Sequence, residues 1–291
     1  QIRLSLVGSE MCIRDRPIWK GNISLNPLEG GITNHNYLVK DGTSEYVVRM
    51  GEDIPEHLVY RSNELNVSKA AHAIGVSPKL IHFEPGVMVF DYIQCKTLDP
   101  ETVKINLDKI MPIIKKIHFE MPNQLNGQSI IFWVFYVIKY YSNFLKKNNS
   151  SHVLIIQELI KKSETLEKLS SPRDIVFGHN DFLAANFLDD GSKIWVVDWE
   201  YGGFNDPLFD IGGLASNNDF DTELENHCLE LYYDQKPSKE LLIRYNAMKA
   251  ASLLRETMWS MVSEITSNLE FDYSKYTQEN LTKFNNTFES L

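Results

Sequence analysis

An α+β fold of two lobes, the first β-rich and the second mainly helical, is the architecture this sequence predicts. Three observations carry that expectation. Two β-branched and aromatic runs joined by a turn lie early in the chain, long stretches with helical spacing dominate after about residue 100, and the later β-like runs are short and bracket a polar segment.

From Asn36, Tyr-Leu-Val-Lys, then Asp41-Gly42-Thr-Ser, then Glu-Tyr-Val-Val-Arg read as a hairpin. Leu58, Leu65, Val67, Ala70, Ala71 and Ile74 recur at helical spacing, predicting a helix over Pro55 to Ile74 that Gly75 caps ahead of Pro78. A further strand is expected at Val87 to Ile93, then a connector near 92–98. Helices are expected over about 101–119, 129–148 and 152–169, with Pro112 kinking or dividing the first. Short strands are expected at Ile175–Phe177 and Ile194–Val197, and helix again from about 222 to the end. The chain shows neither an internal repeat nor a low-complexity tract.

The lobes are expected to span 17–94 and 95–291. Residues 1–16, ending in Val7-Gly-Ser-Glu-Met-Cys-Ile-Arg-Asp-Arg16, lack a small-residue cleavage site and resemble translated sequencing-adapter sequence, so they are expected to be non-native.

A net charge of −10 and a pI near 5.3 argue against nucleic-acid binding, which relies on clustered Lys and Arg, and suit a cationic small molecule. The apolar run Ile130 to Ile138 falls well short of the roughly 20 residues of a membrane span. Three scattered cysteines, Cys12, Cys95 and Cys228, make neither a disulfide framework nor a zinc site, and a reducing cytoplasm is the simplest setting. Nothing in the sequence specifies an oligomeric state.

The strongest chemical signal is Phe177-Gly-His179-Asn-Asp181-Phe-Leu-Ala-Ala-Asn186, followed by Ile194-Trp-Val-Val-Asp198-Trp-Glu200. Protein kinases place a catalytic aspartate five residues before a metal-binding asparagine, with a second metal-binding aspartate on a later turn. Asp181, Asn186 and Asp198 reproduce that spacing. Phosphoryl transfer needs these residue types because magnesium on hard oxygen ligands must neutralise the phosphates, while a carboxylate orients the acceptor hydroxyl and takes its proton. Any one of these residues alone would read as a turn cap. His179 reads as a structural anchor of the loop, and His118, closing a helix, as packing.

Over about residues 22 to 285 the chain resembles the choline and ethanolamine kinases and their bacterial relatives, neighbours of the aminoglycoside phosphotransferases within the protein-kinase-like fold. The catalytic loop from His179 to Asn186 and the Asp198-Trp-Glu-Tyr201 segment carry that resemblance. It implies an ATP- and Mg2+-dependent kinase acting on the hydroxyl of a small-molecule alcohol. It also places a nucleotide-covering loop at Gly30, Gly31, Thr33 and Asn34, ahead of the hairpin. Arg49 looks like the counterpart of the kinase strand lysine and Glu64 like its partner, while Phe90 and Tyr92 would lie in the hinge strand beside the adenine. Asp210 matches an aspartate that braces the catalytic loop, and Glu200 is a further site residue toward metal or substrate.

A quaternary ammonium is best held by aromatic faces with a nearby carboxylate. The resemblance puts Tyr201, Trp259, Phe271 and Tyr276 in such a cage, although aromatics at helical spacing also fill cores. Two departures bear on the acceptor: Glu256 stands where a tryptophan is expected three residues before Trp259, and Asn217 where a glutamate is expected after Asp210. Glu256 could supply a counter-charge. Choline or a related amino alcohol is the leading acceptor, with ethanolamine, thiamine or an aminoglycoside as alternatives. A catalytically inactive nucleotide-binding protein of the same fold is a further alternative, against which the intact Asp181, Asn186 and Asp198 argue.

Overall fold

The computed structural model describes residues 12–28 and 34–291. Strands β1 (Ile23–Leu28), β2 (His35–Asp41), β3 (Ser44–Met50), β4 (Leu80–Glu84) and β5 (Val87–Asp91) form an antiparallel sheet in the order β1-β2-β3-β5-β4. The expected hairpin is β2–β3, with Asp41 paired to Ser44 and Gly42 in the turn at φ 62°. Strand alternation then sorts the side chains. Val48 and Met50 join Tyr37, Val39, Val87 and Val89 in a core that also takes Ile13, while Arg49 falls on the other face, toward the second lobe.

Strands β1 and β4 were not expected. β1 is an edge strand that contains Pro27 and buries only Ile23, so it lacks an alternating apolar pattern. β4 buries no residue fully and its register against β5 shifts between Leu80 and His82.

The helix after the hairpin, α1 (Arg61–Ala73), starts later than its spacing suggests. Pro55–His57 instead make a 3-10 turn closed by Leu58 at φ 59°, and Ile54 and Val59 pair across it. This turn carries His57 into the interior, where Nε2 lies 3.1 Å from Ser263 Oγ. At its other end α1 stops as expected, with Gly75 at φ 76°. Val67, Ala70 and Ala71 of α1 pack into the larger core of the helical lobe, so the helix belongs structurally to that lobe's core.

The second lobe contains α2 (Pro100–Ile105), α3 (Leu107–Glu120), α4 (Val134–Lys147), α5 (Val153–Leu169), α6 (Pro207–Asn217), α7 (Thr222–Tyr233), α8 (Lys239–Thr266) and α9 (Tyr273–Glu289). The division expected at Pro112 lies at Asn106, whose side chain caps the Thr102 carbonyl at 2.8 Å. Pro112 sits inside α3, where the only bond it forfeits is to the carbonyl of Asp108, a solvent-exposed residue. Two small sheets are built mostly from the chain between α5 and α6, with one strand from the segment before α2. One pairs β7 (Val176–Gly178) with β10 (Gly203–Asn205), and the other runs β6 (Lys96–Thr97), β8 (Phe187–Asp189), β9 (Ile194–Val196). Strands β6, β8 and β10 are two or three residues long and, unlike the equally short β7 and β9, do not sit in a run of β-branched and aromatic residues.

Helix α8 is buried on all sides through its middle, from Ala247 to Ser263, and forms the spine of the lobe. Gly212 lets α6 cross it closely: a Cβ there would come within 2.8 Å of Lys249 Cα. α8 thereby brings Ser252, Arg255, Glu256 and Trp259 to the loops at the lobe junction. Among the described residues no helix is long and apolar enough to cross a membrane.

Candidate active site

The segment from His179 to Asn186 links β7 to β8 and is fixed from below by Asp210 on α6. Asp210 accepts the backbone N–H of His179 at 2.8 Å and that of Asn180 at 2.7 Å. His118 presents Nε2 to the same carboxylate at 3.1 Å and Nδ1 to the Tyr232 hydroxyl at 2.8 Å, so its part goes beyond packing. His179 stacks on Phe182 with centroids 4.7 Å apart and places Nε2 3.0 Å from the Val197 carbonyl. A carbonyl only accepts, so Nε2 carries the proton. Asn180, at φ 66°, donates Nδ2–H to the carbonyls of Tyr201 at 2.9 Å and Gly203 at 3.1 Å. These bonds define where Asp181 stands.

Asn186 donates Nδ2–H to the Asp181 carbonyl at 2.9 Å, which leaves its side-chain oxygen turned from that bond. The Asn186 carbonyl accepts Val197 N–H at 3.0 Å, tying the loop to the turn that carries Asp198. Asp198 adopts φ 68°, a left-handed conformation uncommon among non-glycine residues. One carboxylate and one amide oxygen make a donor set that suits magnesium, which takes few protein ligands and completes its shell with phosphate and water. Among the described residues no group of three His, Cys, Asp or Glu could hold a metal alone.

From the sheet, Arg49 reaches this turn: Nη2 lies 2.7 Å from Asp198 Oδ1 and 3.1 Å from Glu200 Oε2. Its Nε lies 3.2 Å from Glu64 Oε1, so the expected Arg49–Glu64 pair is formed. Arg61 completes the cluster, with Nη1 at 2.6 Å from Glu64 Oε2 and 3.1 Å from Glu200 Oε2. Burial alone would lower the Arg49 pKa, but Asp198, Glu64 and Glu200 outweigh it and hold the guanidinium charged. Burial, reinforced by Asp198 and opposed by Arg49 and Arg61, pushes the Glu200 carboxyl up to about 7. Asn34 Nδ2 lies 3.5 Å from Glu200 Oε2, whereas Gly30, Gly31 and Thr33 fall outside the described residues. Phe90 lies near the end of β5 and Tyr92 just beyond it, both half-buried, and the Tyr92 N–H donates to the Glu45 carbonyl at 3.1 Å.

On the acceptor side the four expected aromatics form two pairs. Trp259 Nε1 donates to the Tyr201 hydroxyl at 2.9 Å, and both rings are buried. Phe271 is 44% exposed and meets Tyr276 edge-on at 5.7 Å. The Tyr276 hydroxyl donates to Glu256 Oε1 at 3.0 Å. Arg255 enters among them: Nη1 lies 2.8 Å from Glu256 Oε2 and 3.9 Å from Asp181 Oδ1, and its Cζ sits 4.3 Å above the Tyr201 ring. Burial raises Asp181 well above the usual carboxylate range, opposed by Arg255 and reinforced by Glu256 and Asp198. A narrow cleft opens at Asp181, lined also by Asn217, Ser252, Arg255 and Glu256.

Sequence reasoning passed over Arg61 and Arg255. Arg61 stands three residues before Glu64, the spacing of an ion pair on one helix face. Arg255 follows Ala250-Ala-Ser-Leu-Leu and, with Glu256, sets two adjacent charges between that run and Thr-Met-Trp259, which was its available signal.

The family model for choline/ethanolamine kinase matches residues 25–223. Ethanolamine kinase 2 of Rattus norvegicus is 27% identical over 319 aligned positions, spanning 98% of this chain and 81% of its own length. Among solved structures, the choline kinase LicA of Streptococcus pneumoniae superposes with a TM-score of 0.75 at 24% identity, covering 92% of this chain and 94% of its own. A spectinomycin phosphotransferase superposes at 0.56 with 16% identity, covering 93% and 94%. The fold thus accommodates quite different acceptors. With the His179–Asn186 loop, the Asp198 turn and the Arg49–Glu64 pair in place, and with the family model spanning most of the chain, this protein belongs to the choline/ethanolamine kinase family of small-molecule kinases.

Proposed function

We propose that the protein transfers the γ-phosphoryl group of ATP, in the presence of Mg2+, to the hydroxyl of a small amino alcohol of the choline and ethanolamine class. The observation that carries this reading is the convergence of Asp181, Asn186 and Asp198 on one braced loop and turn, with Arg49 reaching Asp198 at 2.7 Å from the other lobe.

Asn186 and Asp198 are the residues that would hold magnesium, whose charge offsets that of the phosphates. Arg49, kept cationic and positioned by Glu64, holds phosphate oxygens in place of the carboxylates it contacts here. Asp181 orients the acceptor hydroxyl toward phosphorus. As the new P–O bond forms and the bond to the ADP leaving group breaks, Asp181 receives the hydroxyl proton. Its raised affinity for protons suits it to that task.

The test is ADP release from Mg2+ and ATP in the presence of choline, ethanolamine, thiamine or an aminoglycoside. Acceptor-dependent release with choline or ethanolamine supports the reading. Release only with thiamine or an aminoglycoside would move the acceptor class, and the absence of release with any of them would contradict catalysis.

A further inference from the structure

The chain supplies its own cation to the aromatic site where a quaternary ammonium would bind. The Arg255 guanidinium lies with Cζ 4.3 Å from the Tyr201 ring centroid and 5.5 Å from that of Phe132, both within the roughly 6 Å over which a cation and an aromatic face attract. Arg255 is 3% exposed and Tyr201 3%, so no open face of Tyr201 is left to the pocket. The carboxylate that would balance a bound cation is taken as well: Glu256 Oε2 faces Arg255 at 2.8 Å and Oε1 accepts from Tyr276 at 3.0 Å.

A quaternary ammonium has no N–H and cannot use hydrogen-bond acceptors, so it depends on aromatic faces and an uncompensated carboxylate. Arg255 occupies the first and neutralises the second. Charge alone does not separate the two kinds of ammonium, since either would share the space with the guanidinium; only an ammonium with N–H groups can offset that approach by donating to nearby oxygens. An ammonium that carries N–H groups needs oxygen atoms instead. The cleft at Asp181 offers them through Asn217 and Ser252 beside Glu256, while Phe182 and Phe209, the aromatic residues that line it, are only 1% and 2% exposed.

We infer that Arg255 is a specificity-determining residue of the acceptor site, which directs the enzyme to amino alcohols with N–H groups on the ammonium and excludes those with a quaternary ammonium. This rests on the amino-alcohol kinase reading above. Among the described residues Arg255 Nε and Nη2 are buried without a hydrogen-bond partner, a costly arrangement unless the bound acceptor or its water supplies oxygens.

The experiment measures kcat/KM at saturating Mg2+ and ATP for ethanolamine, N-methylethanolamine, N,N-dimethylethanolamine and choline with the wild-type enzyme, Arg255→Met and Arg255→Lys. The wild type should lose at least about tenfold at the last methylation, where the final N–H disappears. Arg255→Met, similar in length but uncharged, should shift the choline-to-ethanolamine ratio toward choline by about tenfold, with the KM for ATP moving less than the KM for the acceptor. Arg255→Lys, which keeps a cation, should retain the wild-type order. A wild-type series with no step at choline overturns the assignment while leaving the kinase reading intact, and does so even if the variants fail to fold. Equal losses for all four alcohols in Arg255→Met would reduce Arg255 to packing. If the wild type phosphorylates none of the four, the amino-alcohol reading fails and this inference with it.

Discussion

The carboxylate of Asp210 and the backbone of Asn180 are joined by a 2.7 Å hydrogen bond, and the other oxygen of the same carboxylate accepts from His179 at 2.8 Å. Asp181 follows directly, so its position depends on a side chain about thirty residues further along. Asp210→Asn puts an amide N–H against a backbone N–H and forfeits one of the two bonds. Stability should fall by about 1–3 kcal/mol, and kcat should fall more than the KM for ATP rises. Thermal unfolding and steady-state kinetics on the same preparation check this; a variant unchanged in both would remove Asp210 from the account.

Arg49 stands on three carboxylates at once, those of Glu64, Asp198 and Glu200. Arg49→Ala should raise the KM for ATP and lower kcat, because positioning the phosphates serves both ground-state binding and transfer. The KM for the acceptor should move less. An ATP titration indistinguishable from wild type would contradict the phosphate role.

Glu200 carries a pH dependence whose sign follows from its raised pKa of about 7 against an ordinary 4.5. Between these values the folded protein retains a proton that the unfolded chain releases, so stability falls as pH rises through this window. Glu200→Gln should therefore flatten the decline in Tm of the nucleotide-free protein between about pH 5 and pH 8. Parallel profiles for variant and wild type would show that Glu200 is already ionised at the low end.

Trp259 was expected in an acceptor cage, but its ring is buried, donates to Tyr201 and lies 5.0 Å from His57. Trp259→Ala should cost about 3–5 kcal/mol of stability, the range for emptying a large aromatic site in a core. Chemical denaturation measures it, and a loss below about 1 kcal/mol would place the ring outside the core.

The proposed catalytic loop was legible because its pattern is local: Asp181 and Asn186 lie within one short segment, and Asp198 on the next turn. The β2–β3 hairpin and the Gly75 cap were legible through alternation and backbone freedom. What escaped depended on distant partners. β10 exists because Gly203 meets Gly178, and the 3-10 turn at Pro55–His57 is held by His57 reaching Ser263. Neither contact has a periodic trace in the sequence. Arg255 escaped because helical spacing assigns a residue to a face without saying what stands opposite, here Tyr201 and Phe132.

Phosphoryl transfer directed by Asp181 is the central claim, and acceptor-dependent ADP release by Asp181→Asn beside the wild type, in Mg2+ and ATP with ethanolamine, tests it most directly. The substitution keeps the size of the side chain and removes its capacity to take a proton, so release should fall by roughly 10²–10⁴-fold while circular dichroism stays unchanged. A folded Asp181→Asn enzyme that kept more than about a tenth of wild-type release would contradict the assignment.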